Sequence, residues 1–257
     1  IGVGLVGSEM CIRDSFYGSL HIIGNASGAN VTNLDSLVNL TTIENDLYIE
    51  QVYTPNKDLP ALSLTQVNGN LDIHSCDFTN ILFPALTTID NQRLSIQYSS
   101  LDSLNFEALT SVQNIYIGPH NGWNPNGLSG SYFRLNTFNS IVSMGDLKIE
   151  QNHGGPWSQN SYGLYHIGGF TNLQSLSLLE VDDNPLLTSC CKLLDLAATA
   201  SSTTINNNGT NCGSLLAAAN ACGTSFCGTS NYTTIITQQS EVDALAGCTD
   251  FYGSLHI

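Results

Sequence analysis

The residues best suited to contact a ligand lie in two tryptophan-containing segments, residues 118–132 and 152–166. These segments hold both tryptophans of the chain beside histidines, tyrosines and asparagine amides. Aromatic rings with a polar end, set among amide groups, suit the recognition of a sugar or a protein. We therefore expect a loop platform for ligand binding, and the alternative is that each Trp only anchors its long loop to the scaffold. The candidate residues are His120, Trp123, Asn124, Tyr132, His153, Trp157, Tyr162, Tyr165 and His166.

Metal and cofactor chemistry is not expected. Three of the candidate residues are histidines, but no carboxylate-rich spacing accompanies them. Asp182, Asp183 and Asn184 offer oxygen ligands for calcium, but they precede Pro185, which favours a plain turn. We predict no metal site and no cofactor.

Catalysis is also not expected. The chain has no Gly-x-Ser-x-Gly motif, phosphate-binding loop, dinucleotide fingerprint or His-Glu-x-x-His motif. A polysaccharide-acting β-helix enzyme, the rival interpretation, needs two carboxylates that converge on neighbouring coils. Asp72 and Glu180 are four motif repeats apart, about 20 Å at roughly 4.8 Å per strand. We therefore predict a chain that is not an enzyme.

A repeated Leu-x-Ile motif indicates the scaffold that must position these residues. Successive pairs begin 27, 24, 23, 21, 32, 32 and 24 residues apart, and recurrence at this scale indicates a solenoid. A second apolar register at threefold spacing, such as Leu34, Leu37, Leu40 and Ile43, predicts another inward-facing strand in each coil. The pairs are Leu20/Ile22, Leu47/Ile49, Leu71/Ile73, Leu94/Ile96, Ile115/Ile117, Leu147/Ile149, Leu179/Val181 and Thr203/Ile205.

The residue between the two members of each pair points outward, because side chains alternate across a strand. Stacked coils should bring these residues into one row on the sheet face. This row is the second-choice ligand site, and the alternative is a solvated face without function. Its candidate members are Tyr48, Asp72, Ser95, Tyr116, Lys148 and Glu180.

Composition points to an extracellular chain. Lys and Arg total 6 against 21 Asp and Glu, a formal charge of −15, so nucleic acid and anionic membranes are not expected partners. No apolar run approaches the roughly 20 residues of a membrane span. Cysteines concentrate in the last third without zinc-type spacing, which favours disulfides and a secreted or cell-surface location. Five sequons, beginning at Asn25, Asn30, Asn39, Asn208 and Asn231, fit a glycoprotein.

Sequence patterns divide the chain into three parts. Residues 16–22 and 251–257 are the same heptapeptide, but the residues before the two copies are unrelated. We interpret residues 1–15 as a foreign or artefactual segment, with a real N-terminal strand as the alternative. Residues 16–226 form the solenoid, with helices expected at 192–200 and 214–221, and residues 227–257 begin a second, truncated copy. A strand at 232–237 and a helix at 241–246 are expected there.

The Gly-x-Leu-x-Ile strands, the Leu-x-x-Leu-x-x-Leu-x-x-Ile segments and the Cys-capped residues 239–257 together resemble the receptor L domain. That family is the leucine-rich-repeat-like β-helix of insulin and EGF receptor ectodomains and of many-copy microbial and protist surface proteins. The resemblance covers about residues 16–226 and the start of another copy. It implies a mainly β, right-handed parallel β-helix with short helical, disulfide-bonded caps.

By the same resemblance, Cys227 pairs with Cys248. Cys190, Cys191, Cys212 and Cys222 form two bridges in one of three pairings. Receptor signalling does not carry over, because no Cys-rich domain, kinase or membrane anchor accompanies the repeats.

Together these features predict a non-catalytic extracellular module for binding or adhesion, from a tandem-repeat surface or secreted protein. The expected partners are an extracellular protein or carbohydrate and neighbouring copies in the same chain. Direct membrane insertion by this part of the protein is not expected. The alternatives are a structural spacer in a surface array and, less favoured, the polysaccharide-acting enzyme.

Overall fold

The chain folds as a mainly β solenoid of parallel strands, as predicted. The computed structural model describes residues 14–24, 31, 34–59, 62–90, 92–99, 101–118, 132–151 and 163–223. It also describes the backbone of two later strands, Phe226–Ile235 and Asp250–His256. Within these ranges, no helix is both long enough and apolar enough to cross a membrane.

The largest sheet contains eight strands. They are β2 (Leu20–Ile23), β4 (Leu47–Glu50), β7 (Leu71–His74), β10 (Arg93–Gln97), β12 (Asn114–Ile117), β14 (Ser143–Glu150), β16 (Ser175–Asp182) and β17 (Ala200–Asn206). They lie in chain order across the sheet and all pair in parallel. The register runs from Leu20 opposite Leu47 to Leu179 opposite Thr203. The register implied by the Leu-x-Ile repeat is therefore confirmed.

Shorter strands complete the coils. One sheet contains β1 (Ser15–Phe16), β3 (Thr42–Ile43), β6 (Gln66–Val67) and β9 (Thr88–Ile89). Another contains β5 (Asp58–Leu59), β8 (Asn80–Leu82) and β11 (Ser103–Asn105), and β13 (Tyr132–Leu135) pairs with β15 (Gly163–Ile167).

The expectation of two strands per coil was therefore incomplete, because the coils that follow β4 and β7 each have three. The additional strands, β5 and β8, have only two and three residues, and their buried residues are Leu59 and Ile81. Such strands are too short to show a period of two in the sequence.

The core is continuous along the solenoid, because equivalent side chains of successive coils stack on one another. Phe83, Phe106, Phe138 and Phe170 are fully buried, and their ring centroids are 5.4, 5.3 and 5.2 Å apart. These distances lie in the range in which aromatic pairs attract beyond simple burial. The stacked rings therefore hold four successive coils together, whereas a single coil could not bury its apolar face alone.

A left-handed corner follows most strands of the large sheet. Non-glycine residues with positive φ occupy this corner after six strands: Gln51, Ser75, Tyr98, Gln151, Asp183 and Asn207. After β12 the corner is Gly118, with φ +125°. Because this backbone conformation costs about 1–2 kcal/mol for a residue with a Cβ, its repetition shows that stacking imposes the corner.

Two helices cap the solenoid after β16. Helix α1 (Lys192–Thr199) and helix α2 (Leu215–Cys222) lie within one residue of their predicted bounds. The Ser214 hydroxyl accepts from the Ala217 N–H at 3.1 Å, and Gly223 ends α2 in the left-handed conformation. Disulfides join Cys190 to Cys212 and Cys191 to Cys222. This is one of the three pairings left open by the sequence.

At the two ends of the chain, the described residues begin at Asp14 and end at His256. The carbonyl of Asp14 accepts from the Thr41 N–H at 2.6 Å, whereas residues 1–13 lie outside the described residues. Strands β18 (Phe226–Ile235) and β19 (Asp250–His256) pair in parallel. Strand β18 begins before the predicted strand at 232–237, and the predicted helix at 241–246 lies outside the described residues, as does Cys248.

Candidate functional site

The predicted outward row of the large sheet is present. Ladder pairing places His21, Tyr48, Asp72, Ser95, Tyr116, Lys148, Glu180 and Thr204 opposite one another in sequence. Most of them are half-buried. A row of polar and aromatic side chains at the regular spacing of a parallel sheet is a fixed surface, because the strands beneath it cannot move independently.

The most concentrated part of this face is the Glu150 cluster, which we define as Tyr116, Lys148, Glu150 and Glu180. The Tyr116 hydroxyl donates to Oε2 of Glu150 at 3.3 Å, and Nζ of Lys148 donates to Oε2 of Glu180 at 2.7 Å. Strands β12, β14 and β16 are consecutive in the sheet, so the cluster spans three neighbouring coils. Charged and phenolic groups therefore converge at their carboxyl ends.

The cluster changes the acidity of its members. Burial, followed by the nearby charge of Glu180, raises the pKa of the Glu150 carboxyl. Burial and the Glu150 charge raise the pKa of Tyr116 to about 12. The hydrogen bond that Lys148 donates to Glu180, together with the Glu180 charge, raises the pKa of the Lys148 ammonium despite partial desolvation. At neutral pH Tyr116 is thus a hydrogen-bond donor and Lys148 is a cation.

A second group of side chains lies nearer the amino end of the sheet. Nδ1 of His74 lies 3.7 Å from Oε1 of Glu50, and the His74 ring meets the Tyr98 ring edge-on with centroids 4.9 Å apart. Burial, followed by a hydrogen bond with Glu50, raises the pKa of Tyr48. Tyr98 is 39% exposed at its corner. This group adds exposed aromatic surface to the same face.

Two members of the predicted row are less available than expected. Nη2 of Arg93 donates to both carboxylate oxygens of Asp72 at 3.0 Å, so Asp72 is already paired. Ser95 is only 2% exposed and accepts from Nε2 of Gln97 at 2.7 Å. Its side chain is small and lies between the longer Asp72 and Tyr116. Ser95 therefore offers almost no accessible surface for ligand contact.

The loop platform can be followed only at its stems. The first long segment leaves β12 at Gly118 and the second leaves β14 at Gln151, and they return in the paired strands β13 and β15. The stems therefore lie on neighbouring coils, and Glu150 immediately precedes the second one. His120, Trp123, Asn124, His153, Trp157 and Tyr162 lie outside the described residues, and only the backbone of Tyr132 is described.

The last two candidates of the platform, Tyr165 and His166, lie on β15, away from the large sheet. The Arg134 guanidinium lies 5.7 Å from the centroid of the Tyr165 ring. Nδ1 of His166 lies 2.7 Å from the Ser189 hydroxyl, and burial with the Arg134 charge lowers the pKa of His166. His166 lines an open cavity of about 480 Å³ beside α1. These two residues do not join the Glu150 cluster.

Other predicted features behave structurally. The Asn184 side chain is buried, and its amide donates at 2.9 Å to the carbonyls of Ile149 and Asp182 and to Oδ1 of Asn208. The predicted turn at this position is confirmed, because the Leu187 N–H donates to the Asn184 carbonyl at 3.0 Å. Within the described ranges, no three His, Cys, Asp or Glu side chains are placed to hold a metal ion. Cys76 is buried outside the described disulfides, and burial raises its pKa to about 12.

Sequence reasoning missed Glu50, His74 and Glu150. Each is two residues after a member of the predicted row, so the period of two that identified the row also places them on the same face. Glu150 and Glu180 lie on adjacent strands, so two carboxylates are closer together than Asp72 and Glu180, the pair compared from the sequence.

Comparisons with known proteins add no assignment, because no family model, curated protein or solved structure matches this chain.

Proposed function

We propose that this chain is a non-catalytic extracellular module that binds a protein or a carbohydrate through the outward face of its large sheet. The ligand contacts the Glu150 cluster at the base of the two long loops. The loops, with Trp123 and Trp157, supply the remainder of the surface.

The Glu150 cluster is the observation that carries this proposal. A half-buried phenol, a cation and two carboxylates lie on three consecutive strands of one rigid sheet. Such a surface offers donors, acceptors and ring faces in fixed positions, which reduces the entropy lost on binding. Tyrosine is also among the residues that contribute most to binding interfaces.

Family and location belong to the same proposal. We assign the chain to the receptor L domain class on its Gly-x-Leu-x-Ile strands, its parallel coils and its disulfide-joined terminal helices. The two disulfides are compatible with a secreted or cell-surface protein, since such bonds persist in oxidising compartments.

A binding screen on the complete chain tests the proposal. Glycan arrays and a panel of extracellular proteins are probed with the parent, with Tyr98→Ala plus Tyr116→Ala, and with Trp123→Ala plus Trp157→Ala. Tyr17→Ala is the matched control, because Tyr17 is 76% exposed away from the Glu150 cluster. Circular dichroism establishes that each variant retains the parent's melting temperature.

We expect the parent and Tyr17→Ala to bind, and the Tyr98/Tyr116 variant to lose at least about tenfold in affinity, the equivalent of 1.4 kcal/mol. Loss only in the tryptophan variant would move the site to the loops. A parent that binds nothing would favour the structural spacer.

One observation favours a second candidate, the polysaccharide-acting enzyme. The charge of Glu180 reaches Glu150 from the adjacent strand and helps to raise its pKa, as a general acid beside a second carboxylate requires. Lys148 pairs with Glu180 at 2.7 Å and offsets its charge, so we rank this candidate second. If the parent cleaves a polysaccharide and Glu150→Gln abolishes that cleavage, the enzyme would rank above the binding module.

A further inference from the structure

The heptapeptide Phe-Tyr-Gly-Ser-Leu-His-Ile has two structural settings in this chain. Residues 251–256 of the second occurrence lie in β19, which pairs in parallel with β18. Cys227 is opposite Phe251, Thr233 is opposite Ser254 and Ile235 is opposite His256. A backbone with this sequence can therefore accept β18 along one side.

In the first occurrence, the same residues form the amino-terminal edge of the solenoid, which we define as residues 16–23. Strand β2 pairs with β4 on one side and is the outermost of the described strands of its sheet. On the β4 side, the N–H groups of Leu20 and Gly24 donate to the carbonyls of Asp46 and Glu50 at 2.8 Å. Because bonding alternates along a parallel strand, the N–H groups of His21 and Ile23 face the other way.

The side chains along this edge are unusually exposed for their type. Phe16 is 37%, Tyr17 76% and Ile23 58% exposed. A strand edge that has no partner among the described strands, and that carries exposed apolar side chains, is a template for another strand.

We propose that the amino-terminal edge docks strand β18 of a second copy of this chain. The two heptapeptides are offset by 235 residues (251 − 16), so the observed register carries over directly. Thr233 of one copy would lie opposite Ser19 of the other, and Ile235 opposite His21. Each β18 would exchange its own β19 for the edge of the next copy.

Preorganisation favours this exchange. It forms as many backbone hydrogen bonds as it breaks, because the two acceptor segments have the same sequence. Strand β2 is already held by β4 and β1 by β3, whereas β19 pairs, among the described strands, only with β18. An isolated pair of strands is marginally stable, so the ordered edge loses less conformational entropy on pairing.

Charge and symmetry also fit a second copy as the partner. Residues 226–235 contain no charged side chain, so docking adds no local repulsion between chains of net charge −15. The donor strand and the acceptor edge are different surfaces, so the contact is heterologous and continues from copy to copy. The expected assembly is a concentration-dependent head-to-tail series.

Intermolecular cross-linking tests this proposal. One preparation of the complete chain carries Ser19→Cys and another carries Thr233→Cys, and the two are mixed under mild oxidation. We expect a disulfide-linked heterodimer on non-reducing gels only in the mixture. A synthetic peptide of residues 226–235 with Cys227→Ser should suppress it.

The register control mixes the Ser19→Cys chain with an Ile235→Cys chain. Ile235 lies two positions beyond Thr233 along β18, or about 6.6 Å. We expect at least fivefold less heterodimer from this pair. No heterodimer above the level of either variant alone, or equal yields from the two pairs, would overturn the proposal.

A second measurement does not depend on engineered cysteines. Sedimentation velocity should show that the average mass of the parent increases with concentration. His21→Pro removes an N–H that faces away from β4, so the variant should show a smaller increase. A parent that stays monomeric up to millimolar concentration would also overturn the proposal. The cross-linking result decides the question if His21→Pro fails to fold.

Discussion

The Tyr116 hydroxyl donates to the Glu150 carboxylate at 3.3 Å across two adjacent strands of the large sheet. This bond favours the charged form of Glu150, whereas burial and the Glu180 charge oppose it and dominate. The face of the solenoid therefore holds a carboxyl group whose proton affinity depends on coil stacking. The pKa of Glu150 therefore reports whether the side chains of the Glu150 cluster contact one another.

Replacing Tyr116 should raise the pKa of Glu150 further. Tyr116→Phe removes the donor that stabilises the carboxylate but retains the ring. The measurement is a carbon-13 NMR titration of the Glu150 side-chain carboxyl in the parent and the variant. An unchanged pKa would mean that the hydroxyl does not contact Glu150 in solution.

The same pKa predicts how stability depends on pH. A carboxyl whose folded pKa lies above its unfolded value, about 4.3, contributes stability below that value and loses the contribution as pH rises through the folded pKa. Glu150→Gln should therefore raise Tm relative to the parent at pH 7, and the gain should disappear below about pH 4. A gain that persists at pH 3 would contradict this cause.

The stacked phenylalanines should dominate the stability of the central coils. Phe106 has an aromatic neighbour in the ladder on both sides, so Phe106→Ala leaves a cavity that the adjacent coils cannot close. We expect a loss of about 3–5 kcal/mol in the free energy of unfolding. Urea denaturation measures it, and the exposed Phe16 supplies the control, because Phe16→Ala should cost less than about 1 kcal/mol. Equal losses would mean that the ladder is not tightly packed.

The corner at Gly118 should tolerate no side chain. A Cβ there would collide with the carbonyl oxygen of Glu150, and φ is +125°. Gly18 has a similar φ of +105° but nothing within 4 Å of the position of its Cβ. Gly18→Ala should therefore cost only the backbone strain, about 1–3 kcal/mol.

Gly118→Ala should cost that strain and the collision as well. The two melting temperatures separate the terms, and similar values would show that the coils can shift apart locally.

The two disulfides should differ in reactivity. Cys190 and Cys212 are buried, whereas Cys191 is exposed and Cys222 is half-buried. Mild reductant should open Cys191–Cys222 first, since thiolate attack requires access to a sulfur. Differential alkylation and mass spectrometry report the order and also check the pairing. Preferential loss of the Cys190–Cys212 bond would contradict the described cap.

The large sheet could be predicted from the sequence because each coil contributes one pair of apolar residues separated by a single position. Leu71 and Ile73 stack in register on Leu94 and Ile96, and such repetition appears directly in the spacing. Strand β5 could not be predicted, because its two residues carry no period. The disulfide pairing required the relative positions of two helices, which the sequence does not encode locally.

The candidate site was only partly predictable for a similar reason. Tyr116, Lys148 and Glu180 follow from alternation within the motif. Predicting Glu150 requires the alternation to be extended by two residues, from Lys148 to the end of β14. Nothing in the sequence indicates that the neighbouring coil is still aligned with β14 at that point. The burial of Ser95 depends on the lengths of its neighbours' side chains rather than on the identity of Ser95.

Radical footprinting of the bound chain tests whether the outward face of the large sheet binds the ligand. The complete chain is exposed to hydroxyl radicals with and without a ligand from the screen, and oxidation of each tyrosine is quantified by mass spectrometry. We expect ligand to lower the oxidation of Tyr98 and Tyr116 severalfold and to leave that of the exposed Tyr17 unchanged. Protection of Tyr17 with no change at Tyr98 and Tyr116 would contradict it.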